Sequence, residues 1–260
     1  MKNTIQMGMF SRRSITEPLA RELITALSEF GGGLMRPDKC NEYEPVRKPF
    51  DPANIDEPVR WLAATQGDFL YRKGRPAHVA GVIRNRTHPT TARFPSPLFS
   101  NRWTAWFDGK WAARVGVERV EEFVSEMFRV TGADFALLTT EVDLEAKNTD
   151  ATSQSRKGLD LELGIPGLYW VNLFSDELAR WLGISEIPKE LAESKPLASG
   201  GLSLKFCDSP NHCRDLDVLQ KQRAAIDWLG PNRFFDIRFR DRKLESLDWG
   251  PMADVRTMVV

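Results

Sequence analysis

The sequence predicts an α+β protein, a single compact unit with a mixed, mostly antiparallel sheet and flanking helices. Segments in which apolar residues alternate, as in strands, occur beside segments with the apolar spacing of amphipathic helices. They do not follow each other in the regular strand–helix–strand order of a doubly wound parallel sheet. The chain has 260 residues, 42% of them hydrophobic, which is enough for a sizeable core. We therefore expect one domain over residues 1–260, with 1–142 and 143–260 as two similar strand–helix halves.

The first half begins with a strand and a well-marked helix. Residues 4–10 alternate polar and apolar, which predicts a strand. Thr16 is suited to cap the following helix, and the glycines at 31–33 are suited to end it. Recurrent prolines over 36–58 predict a long irregular connection, with a turn of helix near 58–65.

The rest of the first half contains aromatic strand patterns and a second amphipathic helix. Over 102–111 we expect two strands that turn at Asp108-Gly109, a dipeptide typical of hairpins. The other elements expected here are a strand at 79–84, a helix at 118–130, a strand at 133–142 and an exposed polar loop at 145–157.

The second half has the clearest strand and helix signals. The apolar run 167–174 predicts a buried strand, and Ser175 and Gly183 delimit a short helix after it. Strand alternation and helical spacing together place Trp170 and Trp181 in the core. A strand is expected at 202–206 and a last helix at 215–229, whose apolar side would comprise Leu216, Leu219, Ala225, Ile226 and Leu229.

Composition and motifs restrict the function. With 36 basic and 36 acidic residues the net charge is zero, which excludes a global polycation for non-specific nucleic-acid binding. No secretion signal or membrane-length apolar run is found, and three sparse cysteines fit a reducing compartment, so we expect a cytoplasmic protein. Cys207, His212 and Cys213 lack zinc-site spacing, and nucleophile-elbow and phosphate-loop motifs are absent. We expect no metal, no cofactor and no catalytic residues.

Charge is distributed unevenly along the chain. Residues 1–130 carry 20 basic and 15 acidic side chains, and the remainder carries 16 and 21. An acidic second half is consistent with either a solvated surface or a face for a basic partner. Asp160 and Glu162 would share one side of an extended segment, as a solvated face or as a general acid–base pair.

The segment GLYWVNLFSDELARWLG at 167–183 resembles the immunity protein 52 family and related type VI secretion immunity proteins. The resemblance extends to the Gly-Gly-Leu-Ser-Leu run at 200–204 and to Trp-Leu-Gly-Pro at 228–231. The strand, arginine-containing loop and helix that open the chain also look like the opening of that family. The stretch 40–97 matches no pattern of the family.

The resemblance implies a cognate immunity protein that neutralises a secreted bacterial toxin. In that family the toxin is usually a nuclease of restriction-endonuclease type, and inhibition is by occlusion of its active site. The partner would be the toxin's nuclease domain, with no direct contact to nucleic acid or membrane.

The acidic second half supplies the candidate toxin-binding residues, because a nuclease groove must be positively charged to hold phosphates. The candidates are Asp143, Glu145, Asp150, Asp160, Glu162, Asp176 and Glu177. Two alternatives remain open: a cytoplasmic enzyme that uses carboxylates of the second half, and an adaptor of the secretion apparatus.

Overall fold

Ten β-strands form one antiparallel sheet in a computed structural model that describes residues 4–86, 101–148, 165–235 and 245. In chain order the strands are β1 (Ile5–Ser11), β2 (Lys39–Asn41), β3 (Lys48–Pro49), β4 (Asp68–Lys73), β5 (Val79–Arg84), β6 (Asn101–Phe107), β7 (Phe135–Thr140), β8 (Val171–Phe174), β9 (Glu193–Pro196) and β10 (Leu202–Lys205). Their order across the sheet is β3-β2-β4-β5-β6-β1-β7-β8-β10-β9, and each neighbouring pair is antiparallel. The N-terminal strand therefore lies in the middle of the sheet.

Seven α-helices accompany the sheet in the described residues. They are α1 (Glu17–Gly33), α2 (Asp56–Ala63), α3 (Gly109–Val115), α4 (Val117–Thr131), α5 (Glu141–Asn148), α6 (Asp176–Leu182) and α7 (Leu216–Leu229). The regular part of α1 stops before Phe30, and Gly31 and Gly32 have φ of 56° and 69°, which favours glycine at both positions. Among these helices, none has the length and apolarity needed to cross a membrane.

The two faces of the sheet have separate hydrophobic cores. On one face, side chains such as Met9 and Trp103 pack in a core with residues of α1, α2 and α4, which we call the first core. On the other face, Phe10 and Phe174 pack with residues of α5, α6 and α7 in the second core. Successive side chains of a strand point to opposite faces, so the adjacent residues Met9 and Phe10 enter different cores.

The structure confirms the α+β class and many elements expected from the sequence. The strand expected at 79–84 is β5, and the helix expected at 118–130 is α4, which ends at Gly132 in a left-handed conformation. The remaining confirmed elements are β1, α1, β7, β8, α6, β10, α7 and α2, which is the turn of helix expected near 58–65.

The expected hairpin at Asp108-Gly109 is wrong. β6 ends at Phe107 and helix α3 follows directly. The Asp108 carboxylate accepts a hydrogen bond from the Trp111 backbone N–H at 2.8 Å, which satisfies a helix N-terminus. Asp-Gly here begins a helix, because the side chain of Asp108 caps it.

Other expectations also need correction. The irregular connection at 36–58 contains β2 and β3, and residues 145–148 of the expected loop belong to α5. The sequence pattern does not predict strands β4 and β9. The expected apolar side of the last helix is confirmed in part. Ala225 and Leu229 are buried and Leu219 and Ile226 are half-buried, but Leu216 is exposed, and the buried side is shifted to include Val218 and Gln222.

Trp170 is fully buried, as expected, but Trp181 is only half-buried. The guanidinium of Arg233 lies 4.9 Å from the centroid of the Trp181 ring, at the margin of the second core. Regular strand alternation would place Leu168 and Trp170 on one face of the sheet, but Trp170 packs in the first core and Leu168 in the second. The reason is that regular strand geometry begins only at Val171.

Candidate protein-binding site

The predicted acidic residues are distributed over several parts of the molecule. Asp150, Asp160 and Glu162 lie outside the described residues. Glu145 is exposed on α5, while Asp176 and Glu177 are exposed in the first turn of α6. Asp143 is fully buried and therefore presents no side chain to a partner.

Asp143 belongs instead to a polar cluster that joins α5 to α7, which we call the Asp143–Lys147–Gln222 hub. Asp143 Oδ2 accepts hydrogen bonds from Thr139 Oγ1 at 2.8 Å and from Lys147 Nζ at 2.9 Å. Lys147 Nζ also donates to Gln222 Oε1 at 2.7 Å and to the Leu168 carbonyl at 2.9 Å. All three ammonium donors are thus used, and they connect three separate segments of the chain.

Burial of Lys147 disfavours its charged form. Burial lowers the pKa of Lys147, and the neighbouring carboxylate of Asp143 opposes that shift. A buried ion pair is stabilising only when its charges are paired and hydrogen-bonded, because both ions have lost water. The ammonium group of Lys147 is both paired with a carboxylate and fully hydrogen-bonded. The hub therefore holds α5 against α7 while Asp143 and Lys147 are both charged.

Exposed apolar side chains lie at the surface beside this hub. Leu216, the first residue of α7, is 78% exposed, and Val142 on α5 is 49% exposed. Arg214 Nη1 donates to the Val142 carbonyl at 3.4 Å, and the sulfur of Cys213 lies 3.3 Å from Thr140 Oγ1. These contacts bring the start of α7 to the start of α5.

We call the resulting region the α5–α7 surface. It comprises Val142, Glu145, Arg214, Asp215, Leu216 and Asp217. Both of its exposed apolar side chains belong to segments that also carry charged side chains, and exposed apolar residues of this kind are candidate contacts for a protein partner. Sequence reasoning missed Leu216 because helical spacing placed it in the core.

The acidic start of α6 is tied to the centre of the sheet. Arg12 Nη2 contacts Asp134 Oδ1 at 2.7 Å and Glu177 Oε2 at 2.9 Å. Burial disfavours the Arg12 cation, but the hydrogen bonds and charges of these two carboxylates outweigh it and raise the pKa of Arg12. Asp176 pairs with Arg180 at 2.8 Å. Part of the negative charge of α6 is therefore compensated within the protein.

The cysteines have the properties of structural residues. All three are free thiols, and Cys40 and Cys213 are buried. Burial raises the pKa of Cys40 to about 11 and that of Cys207 to about 12, so both remain protonated at neutral pH. The described residues contain no group of three or more His, Cys, Asp or Glu side chains arranged to hold a metal ion.

Comparison with known proteins identifies a shared fold. No family model matches the sequence, and no curated protein matches it. Among solved structures, the T6SS protein PA0821 of Pseudomonas aeruginosa is similar to this chain with a TM-score of 0.58 and 12% sequence identity. The similarity covers 96% of this chain and 80% of that chain. The two proteins therefore have the same overall architecture.

Proposed function

We propose that this chain is a cognate immunity protein that binds a secreted bacterial toxin and neutralises it by occluding its active site. The toxin is a nuclease of restriction-endonuclease type delivered by the type VI secretion system (T6SS). In this proposal the chain is a binding protein and not an enzyme, and it acts in the cytoplasm of the cell that makes it.

The observation that carries the proposal is the fold shared with a T6SS protein over nearly the whole chain. The sequence resemblance to the immunity protein 52 family leads independently to the same secretion system. The α5–α7 surface supports a binding role, because exposed apolar residues beside carboxylates suit a basic protein partner. The exposed candidates Glu145, Asp176 and Glu177 are further proposed contacts.

Co-expression tests the proposal directly. The probe is the protein encoded beside this chain's gene, produced in a bacterial expression host with and without the chain. We expect growth arrest by the neighbour alone, rescue by the chain, and a stable stoichiometric complex on size-exclusion chromatography. Rescue without a complex, or a complex without rescue, would contradict neutralisation by binding.

The alternatives predict different results in the same experiment. An enzyme that destroys the toxin's product would rescue growth without forming a complex. An adaptor of the secretion apparatus would bind apparatus components and leave the toxin active. A destabilised control is a chain carrying Trp170→Ala, which we expect to rescue growth less well because a smaller fraction of it is folded.

A further inference from the structure

A groove lies between helices α1 and α4, which both pack on the first core. Its volume is about 830 Å³, and along α1 it is lined by side chains from Pro18 to Glu29 and by Phe30 just beyond them. At 1.5 Å per residue, the stretch from Pro18 to Glu29 is about 17 Å long, the length of three helical turns. We call this elongated space the α1–α4 groove.

Apolar side chains in the α1–α4 groove are held in place by the first core. Ala26 and Phe30 of α1 are half-buried and pack against that core, and Val130 of α4 is buried. The Phe30 ring makes an edge contact with Phe123, with 5.3 Å between the ring centroids. The groove therefore offers partly accessible apolar side chains on a packed support, which suits the apolar side chains of a ligand.

Both cations that line the groove are neutralised by carboxylates of the protein itself. Arg21 Nη2 lies 2.7 Å from Asp56 Oδ1. Arg129 makes two contacts with Glu126, from Nη2 to Oε1 at 2.7 Å and from Nε to Oε2 at 2.9 Å. Neither guanidinium is therefore available to bind an anionic ligand.

Two further carboxylates line the groove without such compensation. Glu22 and Glu29 are exposed, and they lie on the same side of α1 because they are seven residues apart. In the part of the chain that the structure describes, neither carboxylate forms an ion pair or a hydrogen bond. Glu126, and more weakly Glu22, raise the pKa of Arg129, so one guanidinium is shared by two carboxylates. The groove therefore favours a basic ligand.

We propose that the α1–α4 groove receives a basic amphipathic helix of the toxin, with apolar side chains against Ala26 and Phe30 and basic side chains at Glu22 and Glu29. The inference rests on the proposed function. A helix of three turns matches the length of the groove, and docking of an amphipathic helix in an apolar groove is an established mode of protein recognition. The groove is separate from the α5–α7 surface, because α5 and α7 pack on the opposite face of the sheet.

The first test compares two charge reversals of equal size. Glu22→Lys/Glu29→Lys reverses the uncompensated charges of the groove, and Glu186→Lys/Glu190→Lys makes the same change at two exposed glutamates beyond α6. The probe is a catalytically inactive form of the neighbouring toxin, and binding is measured by calorimetry. We expect the groove variant to raise Kd about tenfold or more, and the control variant to raise it about twofold at most.

The second test fills the groove and leaves its charge unchanged. Ala26→Trp adds a large ring where the toxin helix would pack, so we expect it also to raise Kd about tenfold or more. Thermal melting is measured for every variant. Glu22 and Glu29 are exposed and unpaired, so their reversal should leave the melting temperature close to that of the wild type. If Ala26→Trp lowers the melting temperature, the charge reversals alone decide.

The possible results separate the groove from the proposed function. Wild-type affinity in Glu22→Lys/Glu29→Lys or in a folded Ala26→Trp variant would overturn docking in the groove while toxin binding stands. Equal weakening by Glu186→Lys/Glu190→Lys would overturn it too, since net charge alone would then explain the loss. If the unmodified chain does not bind the toxin, the proposed function itself fails.

Discussion

Lys147 is the residue on which the polar contacts of the second core depend. Its ammonium group contacts a carboxylate, an amide oxygen and a backbone carbonyl, and it lies 4.9 Å from the centroid of the Tyr169 ring. Each partner comes from a different part of the chain, so one side chain coordinates α5, α7 and the segment before β8. Its removal would leave the carboxylate of Asp143, which has no exposed surface, without a counter-charge.

Replacing Lys147 with methionine should destabilise the protein strongly. The methionine fills similar volume but leaves the Asp143 charge buried and unpaired, a loss of about 3–5 kcal/mol. The double variant Asp143→Asn/Lys147→Met removes both charges, and the asparagine can still accept the hydrogen bond from Thr139. We therefore expect the double variant to be more stable than Lys147→Met alone, as measured by urea unfolding.

The control is the exposed ion pair between Asp176 and Arg180, which lies on α6. Its disruption by Arg180→Met should change the free energy of unfolding by about 1 kcal/mol at most, because surface pairs contribute little. If Lys147→Met were equally mild, or the double variant no more stable than the single one, the hub would not hold α5 against α7.

At the scale of elements, three helices are preceded by a residue that could cap them, and only two of these residues make a capping hydrogen bond. Asp108 accepts a hydrogen bond from the Trp111 backbone N–H, and Ser175 accepts one from Leu178. Thr16 precedes α1 in an extended conformation, but its side chain makes no capping hydrogen bond. A cap that is plausible in the sequence therefore contributes only where the side chain reaches the backbone.

This difference predicts unequal effects of equivalent substitutions. Asp108→Ala should lower the free energy of unfolding by about 1 kcal/mol, the usual value of a side-chain cap. Thr16→Ala should have little effect, since no capping hydrogen bond is lost. Urea titrations of the two variants and the wild type give the comparison. Equal losses at both positions would show that the capping hydrogen bond is not the cause.

Elements could be predicted from the sequence where the apolar spacing runs through the whole element and where capping residues or glycines mark its ends. Helix α4 has an uninterrupted apolar stripe and a glycine at its end, and α6 lies between Ser175 and Gly183. Strands β2 and β3 have three and two residues, too few for alternation to be recognised, and all four residues of β9 are exposed, so it has no apolar side.

The candidate site was less predictable than the fold. Glu145 is exposed as expected, but the burial of Asp143 depends on Lys147 and Gln222, which are brought together only by tertiary packing. The apolar spacing of α7 contains no information on the hydrogen bond between Lys147 and Gln222. It therefore predicts a buried side that includes Leu216 and leaves out Gln222. The shift of the buried side of α7 could not be derived from the helix sequence alone.

In the whole molecule, the two halves of the chain share both cores. Trp170 and Leu173 from the second half pack in the first core, while Phe10 and Phe135 from the first half pack in the second core. The point between residues 142 and 143 falls inside α5. Strand β7 pairs with β1 on one side and with β8 on the other, so the sheet is continuous between the halves.

The shared cores predict that the protein unfolds in a single cooperative transition. Trp170→Ala removes a fully buried ring from the first core, and Phe174→Ala removes one from the second. Each should lower the free energy of unfolding by roughly 3–5 kcal/mol. Tryptophan fluorescence and far-UV circular dichroism should report the same urea midpoint in each variant, because neither core persists without the strands that both require. Two separated transitions, with Trp170→Ala shifting one and Phe174→Ala the other, would show instead that the cores on the two faces unfold independently.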